Sequence, residues 1–205
     1  MMKKRLTSLA LSAMMVLSMV PATAFAAKDA GTPPTYNSAT GCYEISTPAQ
    51  LLYLSGKWKD GAPRDGHYVL TADIDMTGVK GFKPIASKKE QGFTGTFDGQ
   101  FHSIKGLRIE YEKKYAGLFG YVGNQDDQAY IKNVALLDCY VTGQQNVGAL
   151  AGVNYGTITG CAVTGEVKCL DLSNSHTAGG ICGKLKEGEG PIVGHVEDCY
   201  VNADV

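Results

Sequence analysis

Downstream of residue 42 the apolar residues fall in short alternations interrupted by glycine, and this pattern predicts strands and tight turns almost throughout. The exception is STPAQLLYLSGKW. Ser46 or Thr47 is a helix cap, Pro48 suits a first turn, and Leu51, Leu52 and Leu54 supply a short apolar face. One helix, Pro48 to Ser55, is therefore expected, placed as a lid on the first turn of an otherwise all-β chain.

A repeat underlies the alternation. The chain reads I-K-G-L-R-I from Ile104, I-K-N-V-A-L from Ile131, I-T-G-C-A-V from Ile158 and V-E-D-C-Y-V from Val196, with starts 27, 27 and 38 residues apart. Between the copies stand AGLFG ending at Gly120, GALAG ending at Gly152 and GGICG ending at Gly183. Residues two apart on a strand share a face, which puts Leu107 with Ile109, Val134 with Leu136 and Cys161 with Val163 toward one interior. The preceding step is three, so the residue between must bend the strand. Gly106, Asn133, Gly160 and Asp198 fill that slot, and all three residue types tolerate positive φ. The expectation is a coil of short strands per repeat, stacked at about 4.8 Å into a right-handed parallel β-helix, with the four corner residues in one column. NQDDQA (124 to 129), CLDLSNSH (169 to 176) and KEGEGP (186 to 191) are read as loops that bulge between coils.

These motifs resemble a known group. GLFG at 117 to 120, with its echoes GALAG and GGICG, is similar to the GLUG-type repeat of bacterial exported β-helix proteins. The upstream order YEISTPAQLLYL, YVLTADIDM, GFTGTFDGQFHSIKGL resembles the region preceding such repeats in large surface proteins. Among these is the non-catalytic part of immunoglobulin-A-cleaving metallopeptidases. The resemblance covers Cys42 to Val205 and implies an exported, surface-displayed bacterial module for adhesion or ligand presentation. The zinc-binding His-Glu-x-x-His of those peptidases does not occur in this sequence.

The first residues agree with export. Lys3, Lys4 and Arg5 precede an apolar run from Leu9 to Val20 and then Ala24-Phe25-Ala26, the three parts of a secretory signal peptide, with cleavage expected after Ala26. Of 19 Lys and Arg the cleaved segment removes three, leaving 16 against 20 Asp and Glu, a net charge of −4. That balance argues against nucleic acid or an anionic membrane as the main partner. Residues 27 to 41, with Pro33-Pro34, read as a flexible leader to a single domain over 42 to 205. The apolar copy ending at Val201, close to Val205, leads to the expectation of a longer parent protein or of self-association through the last coil.

Chemistry is sparse against this frame. GFTGTFDGQFHSIKGLRI (92 to 109) reads as a corner, with Phe93, Gly95 and Phe97 inward, Asp98-Gly99 a turn pair and His102 solvated or turn-bonded. Asp73 and Asp75 share a strand face roughly 7 Å apart, a spacing open to solvation, a calcium ion or a glycosidase pair. Lys80, Lys83, Arg108 and Lys132 are the bases a β-helix lyase would draw on, but no spacing ties them to those carboxylates. Tyr43, Trp58, Tyr68, Tyr111, Tyr115 and Tyr155 are candidates for a sugar-stacking platform. Cys161, Cys182 and Cys199 occupy apolar columns and are expected buried and free, whereas a disulfide within Cys42, Cys139 and Cys169 stays open. His195 with Cys199 is too thin for zinc. The reading is a secreted or cell-surface, non-catalytic scaffold without a cofactor, its partner an extracellular glycan or surface protein. A carbohydrate-active β-helix enzyme on acidic polysaccharide is the alternative.

Overall fold

The computed structural model describes residues 31–56, 62–171, 177–186 and 193–205. The signal-peptide segment, Trp58 and most of the 169–176 and 186–191 loops lie outside them. The described chain is all-β, apart from one helix and a short 3-10 turn, with nearly all of its strands paired in parallel. The largest sheet stacks, in order, Thr35–Asn37, Cys42–Ile45, His67–Leu70, Thr96–Asp98, Tyr130–Lys132, Thr157–Thr159 and His195–Glu197. A second stacks Ile74–Asp75, Ser103–Lys105, Ala135–Gly143, Ala162–Cys169 and Tyr200–Asp204, with Arg108–Glu110 also paired to Ala135–Gly143. Two three-stranded sheets complete the set. One joins Lys114–Ala116, Gln145–Gly148 and Ala178–Gly179; the other joins Phe119–Val122, Ala151–Asn154 and Cys182–Leu185.

Register turns these sheets into columns of side chains. Tyr43, Tyr68, Phe97, Ile131, Ile158 and Val196 lie opposite one another down the first sheet. Ile74, Ile104, Leu136, Val163 and Val201 do the same down the second. Tyr68, Phe97, Ile131, Ile158, Ile104, Leu136 and Val163 are fully buried, while Val196 is 36% and Val201 42% exposed. In-register parallel pairing places like residues one ladder spacing apart, so a column of apolar side chains is a continuous core. Aromatic rings extend it: Tyr43 stacks on Tyr68 at 5.1 Å and Phe97 meets Phe119 edge-on at 5.5 Å.

The register corrects one alignment. Ile131 pairs with Phe97 and Ile158, but Ile104 pairs with Leu136. The copy from Ile104 therefore belongs to a second corner of the same pass, where Leu136-Leu137-Asp138-Cys139-Tyr140-Val141 repeats the pattern. Gly106, Asn133, Gly160 and Asp198 all have positive φ, between 50° and 65°, as the bending argument requires. They do not form one column: Asn133, Gly160 and Asp198 share a corner, and Gly106 shares the other with Asp138 (φ 52°). Leu107 accordingly stacks with Cys139, and Val134 alone stacks with Cys161 and Cys199. Gly160→Val is expected to destabilise by about 1–2 kcal/mol, because a β-branched residue resists this conformation. An unchanged urea midpoint would contradict that.

The glycine closing each GLFG-like element has a separate reason. A Cβ on Gly120 would lie 2.6 Å from Ser87 Cα, on Gly152 2.5 Å from the Tyr115 carbonyl carbon and on Gly183 2.2 Å from the Asn146 carbonyl carbon. Neighbouring passes approach there backbone to backbone. The Ser87 contact also shows an earlier pass that lacks the motif in sequence: Ile85 bridges to Phe119 in parallel, and Phe82 and Ile85 are buried.

The helix spans Pro48–Leu54 with Thr47 as its cap, the Thr47 hydroxyl accepting from Gln50 N–H. The Gln50 side chain in turn accepts from Ser46 N–H at 2.8 Å, a reciprocal closure of the first turn. Leu51 and Leu54 are buried in the core and Leu52 packs against it. Pairing begins earlier than Cys42, inside the segment read as a leader. Thr35–Asn37 runs antiparallel to Cys42–Ile45, and Thr32 N–H donates to Ala49 O. That antiparallel strand covers the edge of the large sheet.

Candidate functional site

Each singled-out carboxylate has a structural partner. Asp73 Oδ1 accepts from Ser103 N–H at 2.7 Å and from its hydroxyl at 3.1 Å, and His102 Nδ1 stands 3.4 Å away. Asp75 accepts from Thr77 N–H at 2.9 Å. Both carboxyls titrate below the usual range, Asp73 chiefly through the Ser103 N–H and Asp75 through Thr77. An inverting glycosidase pair requires one carboxyl with a raised pKa as acid, the opposite of what these hydrogen bonds do. Leu70, Ile74 and Met76 face the core, as the strand pattern implies.

The bases are dispersed. Lys132 pairs with Asp98 at 3.2 Å, and Arg108 pairs with Glu110 at 2.8 Å while lying 4.1 Å over the Tyr140 ring. Neither is brought to Asp73 or Asp75. Lys83 N–H donates to the Ser55 hydroxyl, and Lys80 lines a cleft of about 320 Å³ with Phe82, Arg108 and Glu110. A more polar cleft of about 380 Å³ is lined by Arg64, Asp65, Thr94, Asp126, Asp127 and Gln128. Its loop is tied by Asn124 Oδ1, which accepts from the Asp126 and Asp127 N–H groups. Among the described residues no group of three or more His, Cys, Asp or Glu is placed to hold a metal ion.

The aromatic platform is not assembled as expected. Tyr68 is fully buried and Tyr155 nearly so, and Tyr115 packs against Tyr121 at 4.8 Å. The column position of Tyr68 draws its ring inward, where a large apolar side chain gains most from burial, while Tyr115, Tyr121 and Tyr155 pack in a separate cluster. Among the described residues the most exposed rings are Tyr36, Tyr130, Tyr200 and above all Phe101, which is 85% exposed. The composition of the chain alone does not separate the two sets; the sheet register does.

All six cysteines are free thiols. Cys139 and Cys161 are buried, and burial pushes their pKa up to about 11 and about 12. Cys182 and Cys199 are only partly buried, a correction to their expected place in the interior. Cys199 belongs to the strand pair nearest Val205, where Val196 and Val201 are also exposed. Iodoacetamide at pH 8 is therefore expected to label Cys199 in the native protein and Cys161 only after denaturation, because the reagent needs an accessible thiolate. Peptide mass spectrometry reads the order; native labelling of Cys161 would mean that its column is open.

The corner that carries Phe101 has defined geometry. Strands Thr96–Asp98 and Ser103–Lys105 flank it, and His102 N–H donates to Gly99 O at 2.8 Å to close a four-residue turn. Both central residues have positive φ, Gln100 47° and Phe101 65°. Asp98 lies beneath, partly buried. Burial raises its pKa, but the Gln100 N–H, Lys132 and Asn133 outweigh this and hold it low.

No model of a known protein family matches the chain. It is 32% identical over 151 residues to halomucin of Haloquadratum walsbyi, which covers 69% of this chain and 2% of that protein. It is also 32% identical over 130 residues to an Evansella cellulosilytica protein described as a Gly-rich membrane protein, covering 59% of this chain and 14% of that one. The chain thus spans a small part of either relative. Among solved structures it matches a Bacteroides ovatus protein described as an immunoglobulin A1 protease, with a TM-score of 0.60 and 20% identity over 85% of this chain and 50% of the other. At that identity the likeness is one of fold: an all-β chain of parallel sheets shared with part of a larger protein.

Proposed function

We propose that this chain is a stretch of right-handed parallel β-helix of the GLUG type, exported by a bacterium and displayed at the cell surface. It acts there as a non-catalytic scaffold whose corners and loops meet an extracellular glycan or a surface protein. The observation that carries the reading is the use made of the carboxylates. Asp73, Asp75 and Asp98 each fix a turn or a neighbouring strand through backbone N–H groups, and their pKa values are lowered rather than poised for proton transfer. The names of the halomucin and membrane-protein relatives agree with a place outside the cell. Self-association through Tyr200–Asp204, which carries the exposed Val201 and follows the exposed Val196, is part of the proposal and is read by sedimentation velocity.

Two measurements test it. An epitope-tagged full chain in a secreting bacterial host is expected in the medium or on protease-accessible cell surface, and retention in the cytosol would refute export. Purified protein is expected to release no unsaturated uronate from polygalacturonate or hyaluronan, with or without calcium. Sustained release would establish the lyase instead.

A further inference from the structure

We propose that Phe101 is a binding residue for a neutral, pyranose-containing glycan, presented by the turn Gly99 to His102. The proposal rests on the surface-module reading and names a site for it. Positive φ at both central positions of a turn is the signature of the mirror-image hairpin turn, whose usual residues are Asn-Gly. Here Gly99 stands one place too early, and the left-handed positions hold Gln100 and Phe101. Phenylalanine has no side-chain hydrogen bond with which to compensate that conformation.

The fold does not require this tip. Asp98 and Lys132 are opposite one another, as are Ser103 and Ala135, so the corner takes a step of five residues here and of three in the next pass. The next corners, Thr159 to Ala162 and Glu197 to Tyr200, also take three. Two residues are thus inserted here relative to the later corners, and one relative to the preceding corner between Val69 and Ile74, and Phe101 places a phenyl ring in solvent at 85% exposure. Burial does not offset the strain. Strained residues that persist without a packing reason cluster at ligand contacts.

The tip is also rigid. Gly99 N–H donates to Lys132 O, Phe101 N–H to Asn133 O and His102 N–H to Gly99 O, each at 2.8 Å, and Gln100 N–H donates to Asp98 Oδ1 at 2.9 Å. A turn backbone held in place before binding leaves only the side-chain torsions of Phe101 to be ordered on contact. Its surroundings select the ligand. Polar residues stand next to Phe101 in the chain and in its backbone contacts: Asp98, paired with Lys132 and Asn133, precedes it, His102, beside Asp73, follows it, and Asn133 O accepts from Phe101 N–H. A pyranose offers the complement: polarised C–H groups against the π face and hydroxyls around its rim. Uronates are disfavoured by the neighbouring carboxylates. A protein interface of ordinary size, about 800 Å² per partner, needs a contiguous apolar centre, which one ring among polar residues does not supply.

The test is affinity electrophoresis of the full chain in gels containing galactomannan, xyloglucan or arabinogalactan, with an array of neutral hexose and N-acetylhexosamine oligosaccharides. The wild type is expected to be retained by at least one probe. Phe101→Gly is expected to lose about tenfold or more in affinity, whereas Tyr200→Ser, another exposed ring, retains it. Phe101→Gly should melt no lower than the wild type, since glycine suits the turn. Equal retention of Phe101→Gly, or its melting several degrees lower, overturns the assignment of Phe101 and leaves the surface-module reading standing. No retention of the wild type by any probe overturns the glycan class, and the surface reading is then judged by localisation alone.

Discussion

Truncation of Ile131 to alanine is expected to lower the unfolding free energy by about 3–4 kcal/mol, within the range for fully buried aliphatic residues. Ile131 is wholly buried and lies in register between Phe97 and Ile158, so its loss opens a cavity that two fixed strands cannot collapse to fill. Val196→Ala, in the same column but 36% exposed, is expected to cost less than about 1 kcal/mol. Urea unfolding of both variants reads the contrast through their midpoints. Equal losses would mean that the column does not carry stability in the graded way its burial implies.

Gly152→Val is expected to cost about 3 kcal/mol or more and to leave little soluble protein. The new Cβ would sit 2.5 and 2.6 Å from Tyr115 backbone carbons and 2.9 Å from Gly120 O, all main-chain atoms of the adjacent pass. A main chain locked in a parallel ladder cannot retreat without breaking hydrogen bonds, which places this substitution at the severe end of overpacking. Gly160→Val is the internal control. Its closest neighbour is the Asn133 side-chain oxygen at 2.9 Å, which can rotate, so only the backbone strain remains. If thermal melts rank Gly160→Val as the more damaging, the backbone approach at Gly152 is not as close as described.

Most of the strand positions were legible from alternation, and the copies from Ile131, Ile158 and Val196 stand in the register that the sequence implied. The copy from Ile104 was misplaced for a physical reason. A corner needs an aliphatic residue, a left-handed position and another inward apolar residue. The passes through Ile104 and Leu136 have a second such corner, so the six-residue pattern specifies a kind of corner without saying which one. The true partner of Ile131 was hidden because Phe97 replaces the aliphatic residue and two extra residues follow it. The pass through Phe82 and Ile85 was unreadable because proline and lysine interrupt its motif. The aromatic rings misled similarly: the same tyrosine faces core or solvent according to column, and column membership is a long-range property. Phe101 falls within the stretch read as a corner, and neither its left-handed backbone nor its exposure is legible there.

The insertion at Gln100 and Phe101 has an evolutionary consequence. On one side of it Asp98 remains opposite Lys132, and on the other Ser103 remains opposite Ala135. Gain of residues at the bend leaves both ladders intact, so chain length at a bend is uncoupled from the order of the interior. Insertions and deletions there are close to neutral for folding, because loop closure depends only weakly on length. Descendants of such a chain can change what they present to their surroundings by adding or trimming residues at the bends while the stacked interior is inherited unchanged.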